Sequence, residues 1–129
     1  MHIYVYNRRV RRKPGALVPL EQSICISASR LRRRGINEFY GYQLAKQMAV
    51  DADRRLLTAY GTLYRALGRL EQMALVQSRR EDPEIAAREN RPGRRLYTLT
   101  AAGERAARAA ATPRQTQRRR RGRRRLVPA

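Results

Sequence analysis

Apolar residues recur at helical spacing after Pro19 and define the first predicted element. The stripe consists of Leu20, Ile24, Ala28 and Leu31. Residues spaced in this way lie on one face of a helix, so that face can be buried. Three arginines follow at residues 32–34, where their positive charge complements the negative C-terminal end of the helix dipole. Gly35 comes next, in the position where a glycine commonly caps a helix. The pattern therefore predicts a helix that begins after Pro19 and ends before Gly35.

Two further helices follow from the same spacing. Asn37 is a candidate N-cap for a short second helix, and Thr58 is one for a third. The predicted inner faces consist of Gly41, Leu44, Ala45 and Met48 in the second helix and of Leu63, Leu67, Leu70 and Ala74 in the third. The third helix has the clearest stripe in the chain, so we expect it to be the best-defined element.

A β-hairpin is predicted after the third helix. Residues 75–79 and 94–99 contain strand-forming side chains, and the tip between them, residues 80–93, contains two prolines and a glycine. Thr100 is a candidate N-cap for a last helix over residues 101–111. The predicted fold class is mainly α with a small β-hairpin. Three helices followed by a two-stranded hairpin is the element order of a winged helix-turn-helix.

Positive charge is concentrated at the two ends of the chain. The 129 residues include 30 Lys+Arg and 10 Asp+Glu, a net charge of +20, and 28 of the cations are arginine. Residues 1–19 hold five cations and residues 112–129 hold eight, with no acid in either segment. We expect a disordered basic N-terminal arm and a disordered arginine-rich tail, with a winged helix domain over residues 20–111. This excess of charge predicts a polyanionic partner.

The residues needed for several other functions are missing. Cys25 is the one cysteine and His2 the one histidine, so the sequence offers neither an internal disulfide nor a metal-binding spacing. No nucleophile has a base near it in the sequence, so we expect no enzymatic activity and no cofactor. No segment approaches the roughly 20 apolar residues of a membrane span. A cytoplasmic protein located in the nucleoid is the expectation.

The side of the third helix opposite the leucines carries small and basic residues. Arginine and glutamine can donate hydrogen bonds to base edges, and the amides of Gly61 and Thr62 at the helix N-terminus can hold a phosphate. Arginines at the start of the second strand of the hairpin could bind in a narrow minor groove, where the negative potential is enhanced. The candidate DNA-binding residues are Tyr60, Gly61, Thr62, Tyr64, Arg65, Arg69, Gln72, Arg91, Arg94 and Arg95. The candidate backbone contacts of the tail are Arg118, Arg119, Arg120, Arg121, Arg123, Arg124 and Arg125.

Four blocks of the sequence, in this order, resemble the PadR family of transcriptional regulators. They are YGYQLAK at residues 40–46, GTLYRALGRLE at 61–71, and LV at 75–76 followed by GRRLYTLTAAG at 93–103. The resemblance implies a dimeric winged-helix repressor that binds double-stranded DNA and in some members is released by a small effector. Ala74 stands where the family usually has a glycine, so the turn after the third helix must accept an unfavourable φ or use another geometry.

The first functional hypothesis is a sequence-specific transcriptional regulator, a repressor that acts as a homodimer. Its recognition helix, about residues 59–73, would enter the major groove, and its wing, residues 79–95, would contact flanking DNA. Four acids in the tip would be repelled by phosphate, so the tip is expected to point away from DNA: Glu81, Asp82, Glu84 and Glu89. The alternative is a non-specific nucleoid-associated or RNA-binding protein whose basic tails bind any polyanion. The sequence does not identify an effector.

Overall fold

The computed structural model describes residues 16–51 and 59–111, so the tail and most of the N-terminal arm lie outside the described residues. The elements in chain order are α1 (Pro19–Arg33), α2 (Gly41–Asp51), α3 (Tyr60–Gln72), β1 (Val76–Arg80), α4 (Pro83–Arg88), β2 (Arg95–Leu99) and α5 (residues 101–111). The predicted fold class, mainly α with a small hairpin in winged-helix order, is confirmed.

The predicted leucine stripes form the core. In α3 the core side chains are Leu63, Ala66, Leu67 and Leu70, and in α1 they are Ile24, Cys25, Ala28 and Leu31, none more than 2% exposed. The same cluster also contains Leu44 of α2, Val76, Tyr97 and Leu99 of the strands, Phe39 before α2, and Ala107 of α5. Ala74 was predicted to extend the α3 stripe, but it lies exposed in the turn after the helix. The prediction was wrong there because α3 ends at Gln72.

The turn after α3 is a Schellman motif with alanine in the left-handed position. Leu75 N–H donates to the carbonyl of Leu70, and Ala74 N–H donates to that of Glu71, both at 3.0 Å. Ala74 has φ 62°, a conformation that glycine adopts with far less strain. The same motif closes α1 at the predicted Gly35 (φ 88°). Of the two alternatives left open by the sequence at Ala74, the structure therefore has the unfavourable φ.

Two of the predicted N-caps are wrong and one is confirmed. The second helix begins at Gly41 rather than after Asn37, because Phe39 is extended and pairs with Tyr97 of β2. The third helix has Ala59 in its N-cap position instead of the predicted Thr58. Thr100 caps α5 as expected, since its hydroxyl accepts from the Gly103 amide at 3.0 Å. That hydroxyl also donates to the Ala74 carbonyl at 2.8 Å and so ties α5 to the turn after α3.

The hairpin is antiparallel, with Val76 opposite Leu99 and Arg80 opposite Arg95. Its strand bounds lie within one residue of the prediction, but the tip is not merely a loop. The tip contains α4, which Asp82 caps by accepting from the Glu84 amide at 2.9 Å. Asp followed by Pro and Glu is a helix-start signal, so this short helix could have been predicted from the sequence.

Candidate nucleic-acid interface

Helix α3, which the sequence predicts to be the recognition helix, buries its leucines and exposes a polar face. Tyr60, Gly61, Thr62, Tyr64, Arg65, Gly68 and Gln72 are all exposed, and Arg69 is partly exposed. Leu63, Leu67 and Leu70 are fully buried on the opposite side. This division follows from the amphipathic spacing of the helix. The structure therefore brings seven of the ten candidate DNA-binding residues together on one helix.

Arg65 lies on this face without an acidic partner among the described residues. Its Nη2 donates to the hydroxyl of Thr62 at 3.3 Å, one turn earlier on the helix. A guanidinium has five N–H donors, so most of them remain available to an external acceptor. A Cβ built at Gly61 would lie 3.5 Å from Arg65 Nη1, so the glycine leaves that part of the guanidinium uncovered. Arg65 therefore has the exposure and the donors that recognition of a base edge requires.

Arg69 is attached to the protein more firmly than the sequence indicated. Its Nε donates to Glu21 Oε2 at 2.7 Å, and 42% of its side chain is exposed. The side chain of Glu21 is fully buried on α1, and its other oxygen accepts from the Val18 amide at 3.1 Å. A buried carboxylate without a cation would be costly, so the pair fixes one edge of the Arg69 guanidinium. Only the remaining donors can contact a ligand.

Tyrosines border the recognition helix on the side of α2. Tyr64 lies over Gly41, where any Cβ would collide with its phenol group, so glycine is required for this close approach of α2 and α3. Tyr60 stacks on Tyr64 with ring centroids 6.4 Å apart, and the two side chains are 49% and 43% exposed. Their hydroxyls can donate to phosphate oxygens.

Two residues of α2 that were not among the candidates also bring a tyrosine and a cation together. Tyr42 is 53% exposed, and the Lys46 ammonium lies 5.4 Å from the centroid of its ring. Their spacing of four residues on a helix places them on the same face, which is the signal that could have identified them. A tyrosine hydroxyl and an ammonium group side by side can bind a phosphate, as the exposed tyrosines and arginine of α3 can.

Arg91 is engaged inside the tip of the hairpin. It donates to both oxygens of Glu81 at 2.8 and 2.7 Å and to Glu89 at 2.8 Å, and only 17% of its side chain is exposed. The hydrogen bonds from Arg91 lower the pKa of Glu81 to about 2. Two of the four tip acids are therefore neutralised internally. Arg91 has few donors left for DNA.

The other hairpin arginines are held in different ways. The guanidinium carbon of Arg94 lies 3.9 Å from the centroid of the Tyr40 ring, a cation–π contact. Arg95 Nη1 donates to the Ser78 hydroxyl at 2.9 Å. Arg79 forms a two-pronged pair with Glu38, and these hydrogen bonds lower the pKa of the Glu38 carboxyl. Arg94 and Arg95 thus differ from Arg91 and Arg79 because, within the described residues, their side chains donate no hydrogen bond to a carboxylate, although the charge of Arg94 also helps to lower the pKa of Glu81.

Other kinds of site find no support in the residues that the structure describes. Over residues 16–51 and 59–111, no group of three or more His, Cys, Asp or Glu side chains could hold a metal ion. No helix in the same ranges has the length and apolar character needed to cross a membrane. Cys25 is buried, and burial raises the pKa of its thiol to about 11, so it is a poor nucleophile. Among the described residues, the exposed basic and tyrosine side chains are therefore the best candidates for a functional site.

Comparisons with known proteins agree with this geometry. Residues 31–109 match the model of the transcriptional regulator PadR-like family. A PadR family transcriptional regulator from Eggerthella lenta shares 22% identity, with 98% of this chain and 100% of that chain covered and a TM-score of 0.57. A transcriptional regulator from Clostridium thermocellum shares 19% identity over 84% of this chain and 95% of that chain, with a TM-score of 0.55.

A third solved structure with the same fold is the circadian clock associated protein Pex from anabaena. It shares 21% identity over 95% of this chain and 99% of that chain, with a TM-score of 0.52. A search of the curated proteins found no match. The family model covers more than half of the chain, and its members are DNA-binding regulators rather than enzymes. The winged-helix chain described here therefore belongs to the PadR-like family of transcriptional regulators.

Proposed function

We propose that this protein is a sequence-specific transcriptional repressor that reads its operator with α3 in the major groove. The observation that carries the proposal is Arg65, which lies exposed on α3 with no carboxylate partner in the described chain and with buried leucines behind it. An arginine can donate two hydrogen bonds to guanine O6 and N7, the commonest specific contact in the major groove. Arg65 would therefore supply the main base recognition.

The neighbouring residues of α3 would fix the helix on the duplex. Thr62 and the amide of Gly61, together with the hydroxyls of Tyr60 and Tyr64, would bind phosphates on either side of the groove. Gln72 would reach a base or a phosphate at the far end of the helix. Arg69 would use only the donors that Glu21 leaves available, so we assign it to the DNA backbone rather than to a base.

The hairpin and the tail would add contacts that are independent of sequence. Arg94 and Arg95 would contact flanking DNA, whereas Arg91 is satisfied by Glu81 and Glu89 and is not assigned to the interface. Asp82 and Glu84 would keep the tip away from phosphate by repulsion. The tail arginines at residues 118–125 would bind backbone phosphates, whose charge is the same in every sequence.

We further propose that the protein acts as a twofold homodimer. Such a dimer binds an inverted repeat whose half-sites lie about one or two helical turns apart. Repression would follow from occupation of a promoter by the dimer. Sedimentation or light scattering of the purified chain, alone and with a selected duplex, tests the dimer separately from sequence recognition.

Selection of genomic fragments by the purified protein tests the proposal. The full chain, a chain ending at residue 111 and the Arg65→Ala variant are compared at physiological salt. We expect an inverted-repeat motif that survives removal of the tail, and a loss of preference at one base pair in each half-site for Arg65→Ala, worth about 1 to 3 kcal/mol. The matched control is Arg88→Ala, which removes one charge from the tip.

The rival function predicts a different result from the same selection. If the basic tail binds any polyanion, no sequence is enriched, and binding disappears when residues 112–129 are removed. That outcome would replace the regulator by a non-specific nucleoid-associated protein, or by an RNA-binding protein if RNA competes as well as DNA. An enriched motif that is unchanged in Arg65→Ala would keep the regulator but remove Arg65 from base recognition.

A further inference from the structure

The segment just before α2 holds both strands of the hairpin. Glu38 accepts two hydrogen bonds from Arg79 of β1, each 2.7 Å long. The next residue, Phe39, exchanges two backbone hydrogen bonds with Tyr97 of β2, at 3.0 and 2.8 Å. Consecutive residues of one segment therefore bind neighbouring strands. These contacts fix the hairpin relative to the start of α2.

The third residue of this segment, Tyr40, holds the side chain of Arg94. The guanidinium carbon lies 3.9 Å from the ring centroid, close enough for a cation–π contact. A cation–π contact takes up none of the N–H donors of the guanidinium, so they remain available to an acceptor. No described residue accepts a hydrogen bond from the Arg94 side chain. Arg91, by contrast, donates to Glu81 and Glu89.

The backbone of Arg94 is fixed as well. Its amide donates to Glu81 Oε1 at 3.2 Å, and its carbonyl accepts from the Glu81 amide at 2.8 Å. Because main chain and guanidinium are both held before any ligand arrives, little side-chain freedom is left to be lost on binding. Arg94 thus combines an ordered position with donors that are not engaged.

We propose that Tyr40 is a positioning residue that orders Arg94 in the free protein for a phosphate of the DNA backbone beside α3. The inference rests on the proposed function, because the phosphate belongs to the duplex that α3 reads. Phosphate is the favoured ligand because the fork of N–H donors of a guanidinium matches phosphate oxygens. Tyr40 would act through Arg94 and not through its own hydroxyl.

The test measures DNA affinity against salt concentration for the full chain. The variants are Arg94→Ala, Tyr40→Leu, Tyr40→Phe and the double variant Tyr40→Leu with Arg94→Ala, on a duplex carrying the selected motif and on an unrelated duplex. Thermal melts establish that each variant is folded. Arg88→Ala is the charge-matched control, because it removes an arginine from the tip helix, which the proposal keeps off the DNA.

Arg94→Ala should weaken both duplexes about tenfold and reduce the salt slope by about 0.9, the value for one phosphate contact. Tyr40→Leu should weaken binding about three- to tenfold with the slope unchanged, because the contact still forms but is no longer ordered in advance. Tyr40→Phe keeps the ring and should behave like the wild type. Arg88→Ala should leave the slope unchanged.

Three results would overturn the assignment of Tyr40. The first is an unchanged affinity in Tyr40→Leu. The second is a loss by the same factor when Arg94 is already alanine, and the third is a loss in Tyr40→Phe as large as that in Tyr40→Leu. The last result would assign the contact to the hydroxyl. In each of these cases the wild type still binds its motif, so the proposed function stands. A wild type that selects no motif would instead refute the proposed function, and Tyr40 would then have no operator contact to position.

Discussion

Replacing Ala74 with glycine is expected to stabilise the protein. Ala74 has φ 62° in the turn that joins α3 to β1, and its side chain is exposed, so the substitution removes strain without removing packing. A non-glycine residue in this conformation costs about 1 to 2 kcal/mol, and the greater freedom of glycine in the unfolded chain offsets about 0.4 to 1 kcal/mol. The midpoints of these two ranges, about 1.5 and 0.7 kcal/mol, give a net gain of about 0.8 kcal/mol, so we expect about 0.5 to 1 kcal/mol.

Thermal unfolding followed by circular dichroism measures the effect directly. For a domain of this size, a gain of 1 kcal/mol raises Tm by roughly 4 to 8 °C, so an increase of about 2 to 8 °C is expected for Ala74→Gly. Gly35→Ala is the matched control, since Gly35 has φ 88° in the same motif after α1 and should lose about 1 kcal/mol. Nothing lies within 4 Å of a Cβ built at Gly35, so that loss would report the backbone alone.

The reasoning would be refuted by one combination of results. If Gly35→Ala lowers Tm while Ala74→Gly leaves it unchanged or lowers it, the turn after α3 is not strained by its alanine. The carbonyl of Ala74 accepts from Thr100, and this hydrogen bond remains possible with glycine. DNA affinity should therefore be unaffected by Ala74→Gly, which separates the stability effect from any effect on recognition.

Three further predictions concern the core, the thiol and the tip. Gly103→Ala should lower the free energy of unfolding by about 2 kcal/mol or more in a denaturant titration, because its Cβ would collide with the Leu75 carbonyl and the Leu99 side chain; a near-neutral variant would contradict this close packing. Cys25 should resist alkylation by iodoacetamide at pH 8 in the folded protein and react after unfolding, because burial raises its thiol pKa to about 11; rapid native-state labelling would disprove it. Glu81 has its pKa lowered from 4.5 to about 2 by hydrogen bonds from Arg91, so its contribution to stability is complete above pH 4.5 and is lost as the pH falls towards 2. Urea midpoints from pH 5 to pH 2 should fall more steeply for the wild type than for Glu81→Gln, and parallel curves would show that the pair does not act in this window.

The helices and the hairpin could be predicted because each depends on local pattern. The leucine stripes of α1 and α3, the glycine that ends α1 and the cap at Thr100 are all encoded within a few consecutive residues. The tip helix was missed because two prolines and a glycine in a short stretch favour a loop, and six residues give no periodicity to weigh against them. The N-cap at Asn37 failed because a strand-like pairing of Phe39 with distant Tyr97 overrode the local preference.

The sequence predicted which residues of the site are exposed, but not which of its arginines form ion pairs with acids of the same chain. A helical wheel places Arg65 and Arg69 on the same exposed side of α3, yet only Arg69 is held by a carboxylate. That carboxylate belongs to Glu21, which lies 48 positions earlier on another helix. Amphipathic spacing states which face of a helix is exposed, and says nothing about which acid from another element reaches that face. Arg91 and Glu81 are only 10 positions apart, but a tip predicted as a loop provides no geometry from which their pairing could be inferred.

The distinction between paired and unpaired arginines bears on how a chain with a charge of +20 could recognise one sequence. Positive charge binds the phosphates of any duplex, and this non-specific affinity increases with the number of unpaired cations. It therefore works against discrimination between DNA sequences. The fold reduces this background by pairing Arg69, Arg79 and Arg91 with acids of the domain itself. Arg65 is left on the recognition helix without such a partner. Discrimination between sequences should therefore depend on this guanidinium far more than its share of the total charge would suggest.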